Sequence, residues 1–328
     1  MKRLVVHIGY PKTASTTLQA NLLYGLSRQG QINMLGNHEM ISDTGLRATD
    51  RFIRSMIFRR YYGTELHSLL ARGTPYLAGL LDADRVNVWS SEYLSLPDHH
   101  DYPVAEIPHR LREAFGEDVE YRVVMTTREQ SSLLASYYAH FYNQKFYLDR
   151  GADSINKWIE NVILNSASRT ETHWIFDFAA LARPWMDVFG RQSLHVNMFE
   201  DTQRAIDDFL APWCTLLETD PDTARQLWET SPGLRVKRTG TSGYHARIGL
   251  DRIVDKHLLR RDANRRRRTS LEKGLSVLSQ ALPGHRHRID GISPENRAGL
   301  KARFSKPNAD FARMLELDET KMKTHGYL

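Results

Sequence analysis

The chain is poor in cysteine: Cys214 is the single one among 328 residues. That excludes an intrachain disulfide framework and a zinc site built on thiolates. It also points to a reducing compartment. Long apolar runs are missing too, since no stretch reaches the ~18 residues that mark a membrane-spanning helix. At the start, basic Met1-Lys2-Arg3 is followed by only Leu4-Val5-Val6 before His7, too short for the apolar centre of a signal peptide. A cytoplasmic protein is expected. Excess positive charge is absent from most of the chain. The net charge is +6, but residues 234–268 hold twelve Lys/Arg against three Asp, a local +9 that leaves the remainder at −3. An anionic partner is therefore expected near that segment and not along a uniformly cationic surface.

What is present suits a globular fold. Hydrophobic residues at 41% and charged residues at 26% are ordinary proportions for a soluble chain. Six Trp, fourteen Tyr and twelve Phe supply a substantial core. Leu4-Val5-Val6-His7-Ile8 has the β-branched, apolar character of a buried strand and ends at Gly9. Leu18, Leu22, Leu23 and Leu26 make a helical stripe over 15–29, with Gly30 as its stop. Further strands are expected at 32–35, 85–89, 119–125 and 194–199. Helices are expected at 50–82, 104–115, 131–142, 154–166, 172–189 and 202–217. This alternation predicts an α/β fold, a parallel central sheet flanked by helices on both faces. After about residue 225 the pattern loosens, with helical pieces near 269–282 and 294–316. The expectation is one domain over 1–328, with an α/β core over 1–225 and a basic, mainly helical C-terminal lobe over 226–328.

Between the first strand and first helix lies Gly9-Tyr10-Pro11-Lys12-Thr13-Ala14-Ser15-Thr16-Thr17. A helix N-terminus presents unpaired backbone N–H groups and the positive end of a dipole. Ser15, Thr16 and Thr17 add hydroxyl donors, and Lys12 adds a full charge. The arrangement is built for a phosphate. Helix capping alone explains one or two hydroxyl residues, but not three in a row behind a lysine. Nor is it the triphosphatase loop G-x-x-x-x-G-K-S/T, because here Lys12 precedes the hydroxyl cluster with no Gly after Ala14.

The stretch from His7 to Gln19 resembles the 5′-phosphosulfate-binding loop of the sulfotransferases that use 3′-phosphoadenosine 5′-phosphosulfate (PAPS). That loop commonly reads P-K-S/T-G-S/T-S/T; Ala14 stands where the family usually has Gly. The resemblance implies a P-loop-like sulfotransferase fold. It also implies that Thr13, Ala14, Ser15, Thr16 and Thr17 hold the 5′-phosphate, while Lys12 neutralises the leaving group. The family grips the 3′-phosphate with an Arg at a strand end and a Ser eight residues later. Arg128 and Ser136 match that pattern, with Gln130 where a Pro is usual. Arg offers phosphate a planar fork. Two further stretches are similar to bacterial sulfotransferases: Trp185 to Glu200, ending in Phe199-Glu200, and a last helix carrying Phe304, Asn308 and Phe311. The resemblance covers residues 4 to about 215.

The resemblance implies PAPS as donor, adenosine 3′,5′-bisphosphate (PAP) as product, and no metal. The acceptor would be a hydroxyl, with a carbohydrate or glycolipid as the expected partner. A base must take the acceptor proton. Glu92, after the strand candidate Val86-Asn87-Val88-Trp89, is preferred; His38 and Glu39 are the second choice. Both places are where strand ends open onto the crevice of an α/β sheet. Lys237 and Arg238, within Arg235 to Gly240, are candidates for a further clamp on the 3′-phosphate. The run Arg260 to Arg268 is either a solvated face or a contact for an anionic acceptor or membrane surface. His99, His100, His285 and His287 are expected to be loop histidines. Two other classes compete. A kinase-like enzyme using ATP lacks the G-K-S/T order and a magnesium-holding acidic strand end. A nucleic-acid-binding protein would use the arginines but leaves both phosphate elements unexplained, so no nucleic-acid partner is expected.

Overall fold

The computed structural model describes residues 1–36, 43–58, 73–96, 103–142, 153–165, 176–230, 244–248 and 285–328. The chain forms two compact units. One comprises Met1–Glu129, Arg169–Val236 and Phe304–Leu328; the other comprises Gln130–Ser168 and Lys237–Arg303.

The first unit is built on five parallel strands: β1 (Lys2–His7), β2 (Ile32–Met34), β3 (Val86–Ser90), β4 (Val119–Thr127) and β5 (Leu194–Met198). Their order is β2-β3-β1-β4-β5. Val5 lies opposite Val88 on one side and Arg122 on the other. Every residue of β3 is buried, as expected of a strand covered on both faces. On one face Val5, Val88 and Val124 pack with Leu18, Leu22 and Leu26 of the first helix (15–28) and with Phe209, Trp213 and Leu217 of the helix Ile206–Leu217. The helix Phe178–Phe189 packs on β4 and β5 and meets the helix Ile107–Phe115. This is the α/β architecture expected from the alternating pattern.

Some boundaries differ for identifiable reasons. The helix expected from 172 is described from Phe178, because Asp177 caps it: the Ala180 N–H donates to Asp177 Oδ1 at 2.9 Å. The helix expected at 202–217 is broken at Ala205, which sits at φ −152°, ψ 74°. A further helix, Pro221–Thr230, occupies the stretch where the pattern loosened. Asp220 accepts the Thr223 N–H at 2.9 Å and Pro221 opens the helix.

The second unit contains the helix Gln130–Phe141, a helical stretch over 155–164, and an antiparallel pair, β6 (Tyr244–Ile248) with β7 (His285–Ile289). His285 and His287 therefore lie on a strand and not in a loop. Tyr138 packs on Trp158 at 5.6 Å between ring centroids. Asn156 ties the stretch 155–164 to the start of the helix Pro294–Leu315 by accepting the Ser293 N–H at 2.8 Å. The expected helix near 269–282 lies outside the described residues, as do His99 and His100.

Candidate active site

β1 is the centre of the sheet. The chain leaves it toward β2 and β3, then crosses to β4 on its other side. Its carboxyl end is thus a topological switch point, where open α/β sheets bind ligands. The pairing continues past the strand. Tyr10 N–H donates to Thr126 O at 2.9 Å, Thr126 N–H to Gly9 O at 2.7 Å, and Ser91 N–H to His7 O at 3.0 Å. Gly9 has φ +89°, and a Cβ there would stand 3.1 Å from Ser95 Oγ and 3.3 Å from the Glu92 Cα. Only glycine lets the end of β1 close against the turn that carries Glu92.

The loop then turns through two left-handed residues, Lys12 at φ 69° and Ala14 at φ 62°. This is the physical reason glycine is favoured at the Ala14 position, since a Cβ is penalised there. The Thr13 hydroxyl is committed inside the loop, donating to Tyr10 O at 2.5 Å. Ser15 and Thr17 are buried, while Thr16 is partly exposed. The helix begins at Ser15, so its first N–H groups have no carbonyl one turn back.

Beneath the loop is a polar network that sequence reasoning missed. His7 is fully buried, and desolvation pulls its pKa down to about 3, so the ring is neutral. Its Nδ1 lies 2.7 Å from Ser90 Oγ and its Nε2 lies 3.3 Å from Thr126 Oγ1. Gln19 Nε2 donates to the same Ser90 Oγ at 2.8 Å. The ends of β1, β3 and β4 and the first helix are tied at one level. The available signal was a polar residue inside a buried strand, which must find partners.

Four predicted site residues meet above this network. Glu92 opens a short helical turn, Glu92–Ser95, after β3 and accepts a hydrogen bond from Ser15 Oγ. Burial pushes its pKa up to about 7, against the opposing pull of the Lys12 charge. Burial lowers the Lys12 pKa; Glu92 opposes this and Arg128 adds to it. Arg128 follows β4. Its Nη1 donates to the Lys12 carbonyl at 2.8 Å, and its guanidinium lies 4.4 Å from the centre of the Phe199 ring. Lys12, Ser15, Glu92 and Arg128 thus come together from three adjacent strand ends. Chemically, this sets a helix N-terminus and two cationic side chains beside a buried carboxyl whose pKa is raised to about 7, an arrangement suited to an anion.

Ser136 lies on the helix Gln130–Phe141, partly exposed, in the second unit. His38, Glu39, Lys237, Arg238 and the run Arg260 to Arg268 lie outside the described residues. Among the described residues, no group of three or more His, Cys, Asp or Glu is arranged to hold a metal ion. No helix among them is long and apolar enough to cross a membrane.

No protein-family profile matches the chain. No curated protein matches it either. Among solved structures it is similar to the crystal structure of a sulfotransferase from Alicyclobacillus acidocaldarius, with a TM-score of 0.51 and 15% identity, over 97% of this chain and 98% of that one. At that identity the likeness is one of architecture: the chain has a sulfotransferase-like α/β fold.

Proposed function

We propose that this protein is a sulfotransferase that moves the sulfuryl group of PAPS to an acceptor hydroxyl, on a carbohydrate or glycolipid. The observation that carries this reading is the convergence of Lys12, Ser15 and Glu92 with Arg128 at the switch point of a sulfotransferase-like sheet. In the proposed reaction the acceptor oxygen bonds to sulfur. The bond from sulfur to the oxygen it shares with the 5′-phosphate breaks, and PAP leaves with that electron pair. The acceptor proton passes to Glu92. Transfer of this kind is mainly positioning and charge management, by analogy with phosphoryl transfer.

The roles are those the resemblance implies. The backbone N–H groups of Thr13 to Thr17 and the hydroxyls of Ser15, Thr16 and Thr17 would receive the 5′-phosphate, and Lys12 would neutralise the charge that develops on it. Arg128 would receive the 3′-phosphate. Ser136, Lys237 and Arg238 enter the proposal through the sequence match alone, and Arg260 to Arg268 as a contact for an anionic acceptor or membrane surface. Glu92 is suited to act as a base near neutral pH because its pKa is raised to about 7. Titration calorimetry with PAP and with ATP tests the reading. PAP is expected to bind and ATP to bind far more weakly; tight ATP binding with no PAP binding would overturn it. A radiolabel-transfer screen against glycans, glycolipids and small alcohols then identifies the acceptor.

A further inference from the structure

Arg128 sits in a two-residue connection between β4 and the helix that starts at Gln130. The connection is held from several sides by residues far away in sequence. On the strand side, Phe199 N–H donates to Thr127 O at 2.8 Å. On the far side, Glu129 N–H donates to Glu200 Oε1 at 2.9 Å. The other oxygen of that carboxylate, Oε2, accepts from the Tyr327 hydroxyl at 2.9 Å. The same Tyr327 oxygen lies 3.1 Å from Thr127 Oγ1. The residues on either side of Arg128 are therefore joined to each other through a single phenol and a single carboxylate.

Tyr327 is fixed in turn. It is 2% exposed, its carbonyl accepts from Asn308 Nδ2 at 2.7 Å, and its ring lies 5.9 Å from that of Phe178. The segment before it is anchored by His325 Nε2 and Lys321 Nζ on the buried carboxylate of Asp201, at 2.9 and 2.8 Å. Desolvation raises the pKa of both the Tyr327 phenol and the Glu200 carboxyl, so the pair is strongly sensitive to losing a member. None of these groups points to a reaction of its own. What they share is the backbone on each side of Arg128.

We infer that Tyr327, acting through Glu200 and Thr127, is a positioning residue that aims Arg128 at the 3′-phosphate of the donor. This rests on the proposed role of Arg128. The phenol adds no contact to the nucleotide; it holds the connection so that a planar fork meets a phosphate in register. The effect should fall mainly on the 3′-phosphate, because the 5′-phosphate loop, which Arg128 touches through the Lys12 carbonyl, is also held by the pairing of residues 8–10 with β4.

The experiment compares PAP with adenosine 5′-monophosphate, which lacks the 3′-phosphate, by titration calorimetry on the whole chain. The unaltered protein is expected to prefer PAP. Tyr327→Phe keeps the buried ring and removes the hydroxyl; it should weaken PAP by about tenfold, the equivalent of one hydrogen bond's worth of positioning, and weaken the monophosphate much less. Thr127→Val removes the hydroxyl's other partner at nearly constant volume and should give the same selective loss if Tyr327→Phe fails to fold. Equal weakening of both nucleotides, or no weakening of PAP, overturns the inference while leaving the donor assignment standing. An unaltered protein with no preference for PAP overturns the donor assignment, and the inference with it.

Discussion

Replacing Glu92 by Gln is expected to stabilise the protein at neutral and alkaline pH while removing the proposed base. Burial lifts this carboxyl from its ordinary 4.5 to about 7, although the Lys12 charge pulls the other way. In the unfolded chain it titrates near the ordinary value. Between the two the folded state holds a proton that the unfolded state has released, so stability falls as pH rises through that window. At about 1.4 kcal/mol per pH unit, the ionised carboxylate costs the fold about 3 kcal/mol above pH 7, and little below about pH 4. Gln keeps an oxygen for the Ser15 hydroxyl and carries no charge to desolvate. Urea unfolding of both proteins should show the variant more stable by about 3 kcal/mol near pH 8 and by about 1 kcal/mol near pH 5. Turnover should move the opposite way. In the unaltered protein it should rise with pH through about 7 as Glu92 ionises, and in the variant it should fall by about 10²-fold or more. A stability difference that does not change with pH, or a variant less stable at alkaline pH, would refute the argument.

Lys12→Ala should lower radiolabel transfer by about 10²-fold or more with circular dichroism unchanged, because it removes charge from the leaving group and not from the core; undiminished turnover by the folded variant rules out that role. Ala14→Gly should raise unfolding free energy by about 0.5 kcal/mol, since relief of the left-handed strain exceeds the added chain entropy; a fall in thermal midpoint would show that the strain is absent. Arg128→Lys keeps the charge but loses the fork that also holds the Lys12 carbonyl. It should weaken PAP by about tenfold and adenosine 5′-monophosphate much less, and calorimetry showing equal losses would count against a 3′-phosphate role.

The architecture was legible where the burial pattern is local. β1 and β4 are β-branched runs bounded by loop residues, and the stripe of Leu18, Leu22, Leu23 and Leu26 is buried as its spacing requires. The helix Pro221–Thr230 was missed because Ala224 is its only fully buried apolar residue. Asp220 followed by Pro221 carried the better signal, a cap and a first-turn proline. β6 and β7 were missed for another reason. His285-Arg286-His287-Arg288 has no apolar alternation, and the pairing reaches back to Tyr244–Ile248. A strand of that composition is recognised by its partner and not by its own pattern.

The site divides along the same line. Gly9 to Thr17 is contiguous, so the phosphate loop could be read as one object. Glu92 and Arg128 could be read only as the residues that follow buried strands. What brings them to Lys12 is the position of β1 between β3 and β4, and no short window encodes strand order. Buried polar groups are harder still. A histidine inside an apolar strand announces that it needs partners, but Ser90 and Thr126 lie 83 and 119 residues away from His7. Tyr327 is 127 residues from Glu200 and 200 from Thr127. The groups proposed to touch the nucleotide sit in or beside recognisable motifs, because the ligand imposes their chemistry. The groups that aim them are imposed only by the fold, and any buried polar pair at the same place could serve. For that reason the supporting residues had to be found from the hydrogen bonds around Arg128 and His7, whereas the loop, Glu92 and Arg128 could be named from the chain alone.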